Sequence, residues 1–283
     1  MLVEQLGAPV AGHGEGPCWD PAAGLLRWVD LERGDLLGTP PGGGPVTRHH
    51  VGTVAAALRP RTGGGLVVAV EHGFALLDAP DAPPRPLPEL WADPTVRMND
   101  GGCDTGGRFY CGSMGYDGRP GAGALYRLDP DGSTHTVLTG VTISNGLAFT
   151  PDGGTAYYVD TATARIDAFD VQDGAFGRRR PVVTVPPDDG APDGLTLDAE
   201  GHLWVALWGG GAIRRYSPTG ELEEHVPVPV RHVTACTFGG ADLATLYVTT
   251  STVDATTDEQ RYAGAVFAHR PTVGGLPPLP YAG

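Results

Sequence analysis

Four oxygen-bearing side chains recur along the chain at the start of similar short segments. Each stands at or just before an apolar run that leads through a turn into a second apolar run; they are Glu15, Asn99, Asn145 and Asp193. Two carboxylates and two carboxamides suit a hard divalent cation, because such ions prefer oxygen ligands. One dication would also offset the two negative charges. The four residues are far apart in sequence, so this chemistry requires a fold that brings them to one place.

A simpler interpretation applies to each residue taken alone. Asn145-Gly146, Asp193-Gly194 and Asn99-Asp100-Gly101 have the composition of turns, in which Asn or Asp bonds its own backbone. Four further acidic residues are interpreted in the same way, as turn-stabilising: Asp100, Asp104, Asp152 and Asp198. Recurrence at one repeat position favours a shared site, because turn residues need not occupy the same position in separate repeats.

The elements that must position these residues are repeated hairpins. An apolar run, a Pro/Asp/Gly turn and a second apolar run appear six times, at 17–30, 56–70, 101–114, 146–160, 194–208 and 236–250. Further strand pairs follow several of them, at 123–138, 164–184 and 211–228. The positions just before the hairpins are 38 to 48 residues apart: Glu15, Thr53, Asn99, Asn145, Asp193 and Ala235.

Short strands in units of this length predict an all-β fold, a six-bladed β-propeller with four-stranded blades, as a single domain over 1–283. A β-sandwich or two small barrels would not need such regular spacing. The first strand of each propeller blade lines the central channel, so the equivalent residues should converge on the axis. The Pro-rich stretch 79–88 is expected to connect strands, and the tail 271–283 to run along the surface or complete a blade.

Composition excludes several classes of partner. The formal net charge of -14 argues against nucleic acid, because phosphate binding needs clustered Lys and Arg. The one basic run, Arg178–Arg180, is expected to be a solvated loop. No stretch approaches the roughly 20 apolar residues of a membrane span, and 1–12 lacks the features of a signal peptide. We therefore expect a cytoplasmic protein without membrane contact, and a monomer, because a closed propeller has no open edge. The four cysteines lack CxxC spacing and are expected to be reduced, buried thiols.

Longer motifs carry a resemblance to a known family. They are Glu15-Gly16-Pro17, RMNDGGCDTGGRFYCGSM at 97–114, GALYRLDPDG at 123–132, ISNGLAFTPDGGTAYYVD at 143–160, PDGLTLDAEGHLWVALWGGG at 192–211 and the closing YAG. In these motifs and their order the chain resembles the SMP-30/gluconolactonase/regucalcin-like family over essentially its whole length. The resemblance implies a six-bladed propeller with one divalent metal ion near the axis.

The same resemblance implies roles for individual residues. Glu15, Asn145 and Asp193 match the metal ligands of the family. Asn99 matches a position that binds substrate or completes the metal shell, and Arg97 matches a residue that contacts the sugar lactone. Members hydrolyse aldonolactones such as gluconolactone, and some act on other lactones or phosphoesters. Ca, Zn, Mg and Mn all occur in the family or support its activity.

The chain departs from the family at one segment. Animal members carry an extended loop after the Gly-x-Met segment, with an acidic residue that helps to hold substrate. Here 112–126 is short and contains no Glu, and Asp117 is its only acidic residue. We do not assign that role to Asp117, so the preferred sugar is left open.

These residues lead to a hypothesis for catalysis. Opening a lactone needs a polarised carbonyl and a delivered water, and Asp193 is the expected general base. Arg97 is expected to donate to sugar hydroxyls or to the product carboxylate. Trp204 and Trp208 are expected to pack in the core. Two alternatives stay open: a propeller lactonase or phosphotriesterase with another substrate class, and a calcium-binding regulatory protein without enzymatic activity.

Overall fold

Twenty-four strands form six antiparallel sheets in the computed structural model of the protein, which describes residues 3–283. A short strand, β1 (Glu4–Gln5), precedes blade 1. Blade 1 consists of β2 (Gly14–Asp20), β3 (Leu25–Asp30), β4 (Asp35–Thr39) and β5 (Thr47–His50), and blade 2 of β6 (Ala55–Pro60), β7 (Leu66–Val70), β8 (Gly73–Leu77) and β9 (Arg85–Pro86). Blade 3 consists of β10 (Val96–Cys103), β11 (Phe109–Gly115), β12 (Gly123–Leu128) and β13 (Thr134–Val141).

Blades 4 and 5 repeat the same order, and the first three strands of blade 6 follow. Their strands are β14 (Ser144–Phe149), β15 (Thr155–Asp160), β16 (Arg165–Gln172), β17 (Ala175–Thr184), β18 (Ala191–Leu197), β19 (Leu203–Trp208), β20 (Ala212–Tyr216), β21 (Leu222–Pro227), β22 (Val233–Gly239), β23 (Thr245–Thr250) and β24 (Phe267–His269). Three 3-10 helices cover Leu31–Arg33, Thr161–Thr163 and Pro187–Asp189. The predicted all-β, six-bladed propeller with four-stranded blades is confirmed.

The first strand of each blade is the innermost. Neighbouring blades contact each other through these strands in one closed cycle, which runs β2, β6, β10, β14, β18, β22 and back to β2. Between the blades lie clusters of buried side chains such as Trp28, Phe109 and Trp204, each almost inaccessible to solvent. The inner strands are therefore fixed by packing on both faces.

Turn chemistry joins the first two strands of several blades as the sequence predicts. The carboxylate of Asp104 accepts hydrogen bonds from the backbone amides of Gly106 and Arg108, both at 2.9 Å. Asp198 binds the amides of Glu200 and His202 in the same way. Such side chains satisfy backbone donors that the tight turn leaves free.

Blade 6 combines strands from distant parts of the sequence. Its outer strand is β1, which pairs with β24 through Glu4 opposite Ala268 and Gln5 opposite Phe267. The tail does not complete a blade; it crosses the face of the ring that is opposite the predicted site, touching blade 5 at Asp198 and blade 2 at Arg61. Tyr281 is buried in this crossing.

The arginine run is not a loop, contrary to expectation. Residues 178–180 lie within β17, the outer strand of blade 4. Arg179 bonds the buried carboxylate of Asp167 at 2.5 Å, and Arg180 bonds Asp170 at 2.5 Å. An outer strand has one edge of unpaired backbone groups, and charged side chains along it hinder pairing with other chains. All four cysteines are free and buried, as expected. Within 3–283 no helix has the length and apolar composition needed to cross a membrane.

Candidate metal centre and active site

A β-bulge marks the inner strand of every blade at a similar height. The pairing of β10, β14 and β18 with their second strands shifts register between Met98 and Gly101, Ser144 and Leu147, and Pro192 and Leu195. Blade 1 has its shift between Glu15 and Cys18. A bulge leaves residues unpaired and re-aims their side chains. Asn99, Asn145 and Asp193 are among the residues left unpaired, and Glu15 is the last paired residue before the shift in blade 1.

The glycines after the predicted ligands are part of these bulges, not of turns. A Cβ on Gly146 would lie 2.6 Å from the carbonyl oxygen of Asp193. A Cβ on Gly194 would lie 2.4 Å from the Cβ of Ala235. Both distances are shorter than any real Cβ contact, so glycine is required where neighbouring inner strands approach each other. The turn interpretation of Asn145-Gly146 and Asp193-Gly194 was wrong for this reason.

One cavity of about 270 Å³ contains all five residues that the sequence singled out. All five are buried, and they line the cavity together: Glu15, Arg97, Asn99, Asn145 and Asp193. Two other positions of the repeat do not take part. Thr53 is exposed in the loop before β6, where it donates a hydrogen bond to Glu71. Ala235 is buried but has no polar side chain to offer.

Three buried carboxylates influence each other at the axis. Burial raises the pKa of Glu15 to about 8, with the charge of Asp100 adding to the effect. Burial also raises the pKa of Asp193 well above its ordinary value, with further contributions from Glu15 and Asp100. Burial raises the pKa of Asp100 to about 6. Carboxylates placed so close together out of water are stable as anions only when positive charge is supplied.

The oxygen set fits a divalent cation. The Oδ1 atom of Asp193 is buried without a hydrogen-bond partner, which is costly for a charged oxygen. Glu15 uses its Oε2 atom to accept from the amide of Gly16 at 3.1 Å. Among residues 3–283 no group of three His, Cys, Asp or Glu side chains is arranged to hold a metal ion. A cation shared by Glu15 and Asp193 would therefore take an amide oxygen as well.

Asn145 is oriented to supply that amide oxygen. Its Nδ2 atom donates to the hydroxyl of Thr161 at 2.8 Å. The same hydroxyl donates to the carbonyl of Pro192 at 2.8 Å, so it must accept from Asn145. This chain of hydrogen bonds fixes which end of the amide is nitrogen. The Oδ1 atom of Asn145 is thereby directed away from Thr161.

Asn99 is held in a different orientation. Its Oδ1 atom accepts from Nη1 of Arg97 at 2.6 Å, and its Nδ2 atom donates to the carbonyl of Ser144 at 2.7 Å. A guanidinium only donates and a carbonyl only accepts, so the assignment of the amide is unambiguous. The amide oxygen of Asn99 is thus occupied by Arg97.

Arg97 connects the axis to the mouth of the cavity. Its Nη1 atom also donates to the carbonyl of Met98 at 3.0 Å, whereas its buried Nε has no partner. The guanidinium lies 5.6 Å from the ring centre of Tyr116, within the range of a cation–π contact. Burial lowers the pKa of Arg97, and the charge of Glu32 acts in the opposite direction.

Sequence reasoning missed several residues in this cavity or beside it. Asp100, interpreted as a turn residue, does not line the cavity, but it is a third buried carboxylate whose charge raises the pKa of Glu15 and of Asp193. Trp208, expected in the core, lines the cavity and stacks on His232 with ring centres 3.9 Å apart, whereas Trp204 is buried as expected. Alternation along the strand places both tryptophans on one face of the strand. It does not show that Trp204 is buried in the core whereas Trp208 lines the cavity. Glu32 also reaches the cavity.

His13 lies beside the carboxylates but does not add positive charge. Its Nε2 atom is 3.8 Å from Oε1 of Glu15, and its Nδ1 atom is 3.0 Å from the hydroxyl of Ser251. Burial lowers the pKa of His13 to about 4, with the charge of Arg97 adding to the effect. At neutral pH the imidazole is therefore neutral, and its contact with Glu15 is not an ion pair.

Comparison with known proteins agrees with this architecture. A sequence profile of the SMP-30/Gluconolactonase/LRE-like region matches residues 13–252. The chain is 35% identical over 282 residues to the putative sugar lactone lactonase YvrE of Bacillus subtilis, covering 95% of each chain. It is 38% identical over 240 residues to the pentonolactonase XacC of Haloferax volcanii, covering 84% of this chain and 81% of that one.

A solved structure extends the likeness to three dimensions. The calcium-binding protein regucalcin of Agrobacterium tumefaciens superposes with a TM-score of 0.91 at 28% identity, covering 99% of both chains. The profile match spans most of the sequence, and the relatives align over nearly its full length. The chain therefore belongs to the SMP-30/gluconolactonase/LRE-like family.

Proposed function

We propose that this protein is a divalent-metal-dependent lactonase that opens a sugar lactone to its hydroxy acid. One observation carries the proposal: Asp193, with an unpartnered buried oxygen, shares a small axial cavity with Glu15 and Asn145. An unpartnered oxygen among raised-pKa carboxylates is the arrangement expected of a site prepared for a cation and a reacting water.

The relatives support a sugar lactone as the substrate class. Two of them are named for that chemistry, the putative sugar lactone lactonase of Bacillus subtilis and the pentonolactonase of Haloferax volcanii. Both align with this chain over at least four fifths of its length. We therefore place five- and six-carbon aldonolactones first among the candidate substrates.

Glu15, Asn145 and Asp193 would hold one cation, which we propose to be Ca, Zn, Mg or Mn. When bound, such an ion supplies a Lewis acid for the lactone carbonyl and lowers the pKa of a bound water. Glu15 would contribute charge alone, and Asn145 a neutral oxygen. Asn99, whose oxygen is already bonded to Arg97, would position that guanidinium for substrate.

Asp193 is the proposed general base. It would take a proton from the water that attacks the carbonyl carbon, and the new C–O bond forms at that carbon. As the bond from that carbon to the ring oxygen breaks, the carboxyl of Asp193 would return the proton to the ring oxygen. The products are a carboxylate and a hydroxyl on one open chain, with a net proton released to solvent. Arg97 can then donate from its free Nε to a substrate hydroxyl or to the product carboxylate.

One assay tests the proposal. Purified protein receives glucono-1,5-lactone, a pentonolactone or a phosphotriester, and proton release is followed against the spontaneous rate without protein. The measurement is repeated after chelation and after adding back each of the four ions. We expect release with an aldonolactone that is lost on chelation and restored by at least one ion.

The alternatives predict other results in the same assay. Turnover of the phosphotriester alone would indicate another substrate class. Tight cation binding without turnover of any substrate would favour a calcium-binding protein, the description that the Agrobacterium tumefaciens relative carries. Lactone opening that continues unchanged after complete chelation would refute the metal dependence.

A further inference from the structure

The rim of the cavity is formed by segments at the end of the second strand of each blade. Five of these segments supply side chains that line the cavity: Glu32, Met114, Thr161, Trp208 and Val253. Thr161 is already engaged with Asn145 and Pro192. The rim therefore presents one carboxylate, from blade 1, and apolar groups from blades 3, 5 and 6.

Glu32 is held at the rim by a well-anchored turn. It lies in the 3-10 helix Leu31–Arg33, between β3 and β4. The residue directly before this helix is the fully buried Asp30. Its carboxylate accepts hydrogen bonds from the backbone amides of Gly12 at 2.9 Å and His13 at 3.0 Å. Leu31 is also fully buried. The backbone that carries Glu32 is thus fixed relative to His13 and, through it, to Glu15.

The carboxylate of Glu32 is free to bind a ligand. The Glu32 side chain is exposed, and within 3–283 its carboxylate takes part in no hydrogen bond or ion pair. Glu71, the nearby acidic residue after the second strand of blade 2, differs in this respect. It accepts hydrogen bonds from Thr53 and from the hydroxyl of Tyr116, the latter at 2.7 Å.

Glu32 and Arg97 face the same space. Both side chains line the cavity. Burial lowers the pKa of Arg97, and among the charged groups Glu32 opposes this effect most strongly. No direct contact joins them in the described residues, and the Nε of Arg97 has no partner. A donor and an acceptor separated by open space can bind neighbouring hydroxyl groups of one molecule.

Apolar side chains also line the cavity. Trp208 is fixed by its stacking on His232, and the other apolar lining residues are Met114, Ile143 and Val253. A pocket with an apolar wall and a few fixed polar groups orients a ligand that has both kinds of surface. A sugar ring has such surfaces, because its faces carry C–H groups and its edge carries hydroxyls.

We propose that Glu32 binds hydroxyl groups of the substrate opposite Arg97, and so selects polyhydroxylated lactones over lactones that lack hydroxyls. The proposal rests on the lactonase function proposed above. Asp117 does not compete for this role, because it bonds the backbone amide of Arg119 at 3.1 Å and its guanidinium at 3.2 Å, and it does not line the cavity.

A pair of substrates with the same ring tests the proposal. Glucono-1,5-lactone and δ-valerolactone both contain a six-membered lactone, but only the first carries hydroxyl groups. The ratio of their kcat/KM values is measured for the wild type and for Glu32→Ala at saturating cation. Hydrogen bonds to a charged group are strong, so we expect the ratio to fall about tenfold or more in the variant. Glu32→Gln, which keeps a hydrogen-bonding group, is expected to lie between the two.

A matched control removes the same charge elsewhere. Glu221 is exposed on blade 5, and Glu221→Ala should leave the ratio at its wild-type value. A ratio unchanged in Glu32→Ala, or lowered equally in both alanine variants, would overturn the proposal while leaving the lactonase function intact. A wild-type protein that opens neither lactone would refute that function, and the role of Glu32 with it.

Discussion

The amide nitrogen of Asn99 lies 3.4 Å from the amide oxygen of Asn145, across the boundary between blades 3 and 4. The two side chains have the same chemistry and equivalent places in their blades. Arg97 binds the oxygen of Asn99, whereas Thr161 binds the nitrogen of Asn145. Their different partners give them different expected roles.

Alanine variants should separate these roles. We expect Asn145→Ala to weaken cation binding by about tenfold or more, because it removes an amide oxygen from the cavity that Glu15 and Asp193 share. Asn99→Ala should change cation affinity by less than about threefold and instead raise KM, because Arg97 loses the partner that positions it. Calorimetric titration of the chelated protein gives the first quantity, and steady-state kinetics give the second. Equal losses of cation affinity in both variants would contradict the assignment.

Thr161 should act on the cation through Asn145. Thr161→Val removes the hydroxyl that accepts from Asn145 and donates to Pro192, while keeping the shape of the side chain. Residues that orient a ligand typically contribute about 10–100-fold in metal affinity. We expect a loss in that range for Thr161→Val and a nearly normal affinity for Thr161→Ser. A valine variant that binds the cation as tightly as the wild type would exclude this positioning role.

Asp193→Asn tests the general base with little change of shape. We expect kcat to fall by about 10²–10⁴-fold, the usual contribution of a positioned base. The control is Asp152→Asn, at an exposed turn of blade 4 where Asp152 binds Thr150 and Gly154. That control should retain activity. Activity is compared at saturating cation, so that a loss of cation affinity does not disguise the result. A kcat of Asp193→Asn equal to that of the wild type would show that Asp193 is not the general base.

The stability of the chelated protein should decrease as the pH rises. Burial raises the pKa of Glu15 to about 8 in the folded state and raises that of Asp193 as well, so the folded protein holds protons that the unfolded chain releases. The stability that depends on these protons is fully present below about pH 4.5 and is lost as the pH rises through the folded pKa values.

Thermal unfolding measured with chelator at several pH values checks this sign. We expect Tm to fall by about 5 °C or more between pH 5 and pH 8, since each kcal/mol corresponds to about 2–4 °C in a protein of this size. Cation should reduce the fall, because it binds the folded state. Glu15→Gln should reduce it as well. A Tm that rises over this range in the chelated wild type would contradict the charge network.

Much of this architecture could be predicted from spacing. Glu15, Asn99, Asn145 and Asp193 recur with the period of the blades, and rotational symmetry converts equal positions into proximity. The sequence could not show that each inner strand bulges at that height. Asp100, next to Asn99 in this bulge, is buried where its charge acts on Glu15 and Asp193, and Gly146 packs against a neighbouring strand instead of forming a turn.

The rim was harder to predict than the axis. Trp208 and Glu32 come from segments whose length and conformation differ between blades, so no common period connects them. Their place depends on how far each segment leans over the cavity, which is set by tertiary packing and local hydrogen bonds such as those of Asp30. The thirty-eight-residue step from Glu15 also led to Thr53, although the inner strand of blade 2 starts at Ala55.

The pairing of β1 with β24 has a consequence for the whole molecule. The seam that closes the ring consists of this pairing, of backbone hydrogen bonds from Leu6, Val10 and Ala11 to blade 6, and of the contact between β2 and β22. If this seam separated, Glu15 and Asp193 could move apart while the sheets of blades 1 to 5 stayed intact. An ion held between those two carboxylates would bridge the same gap from the inside. Cation binding should therefore slow proteolysis at this seam.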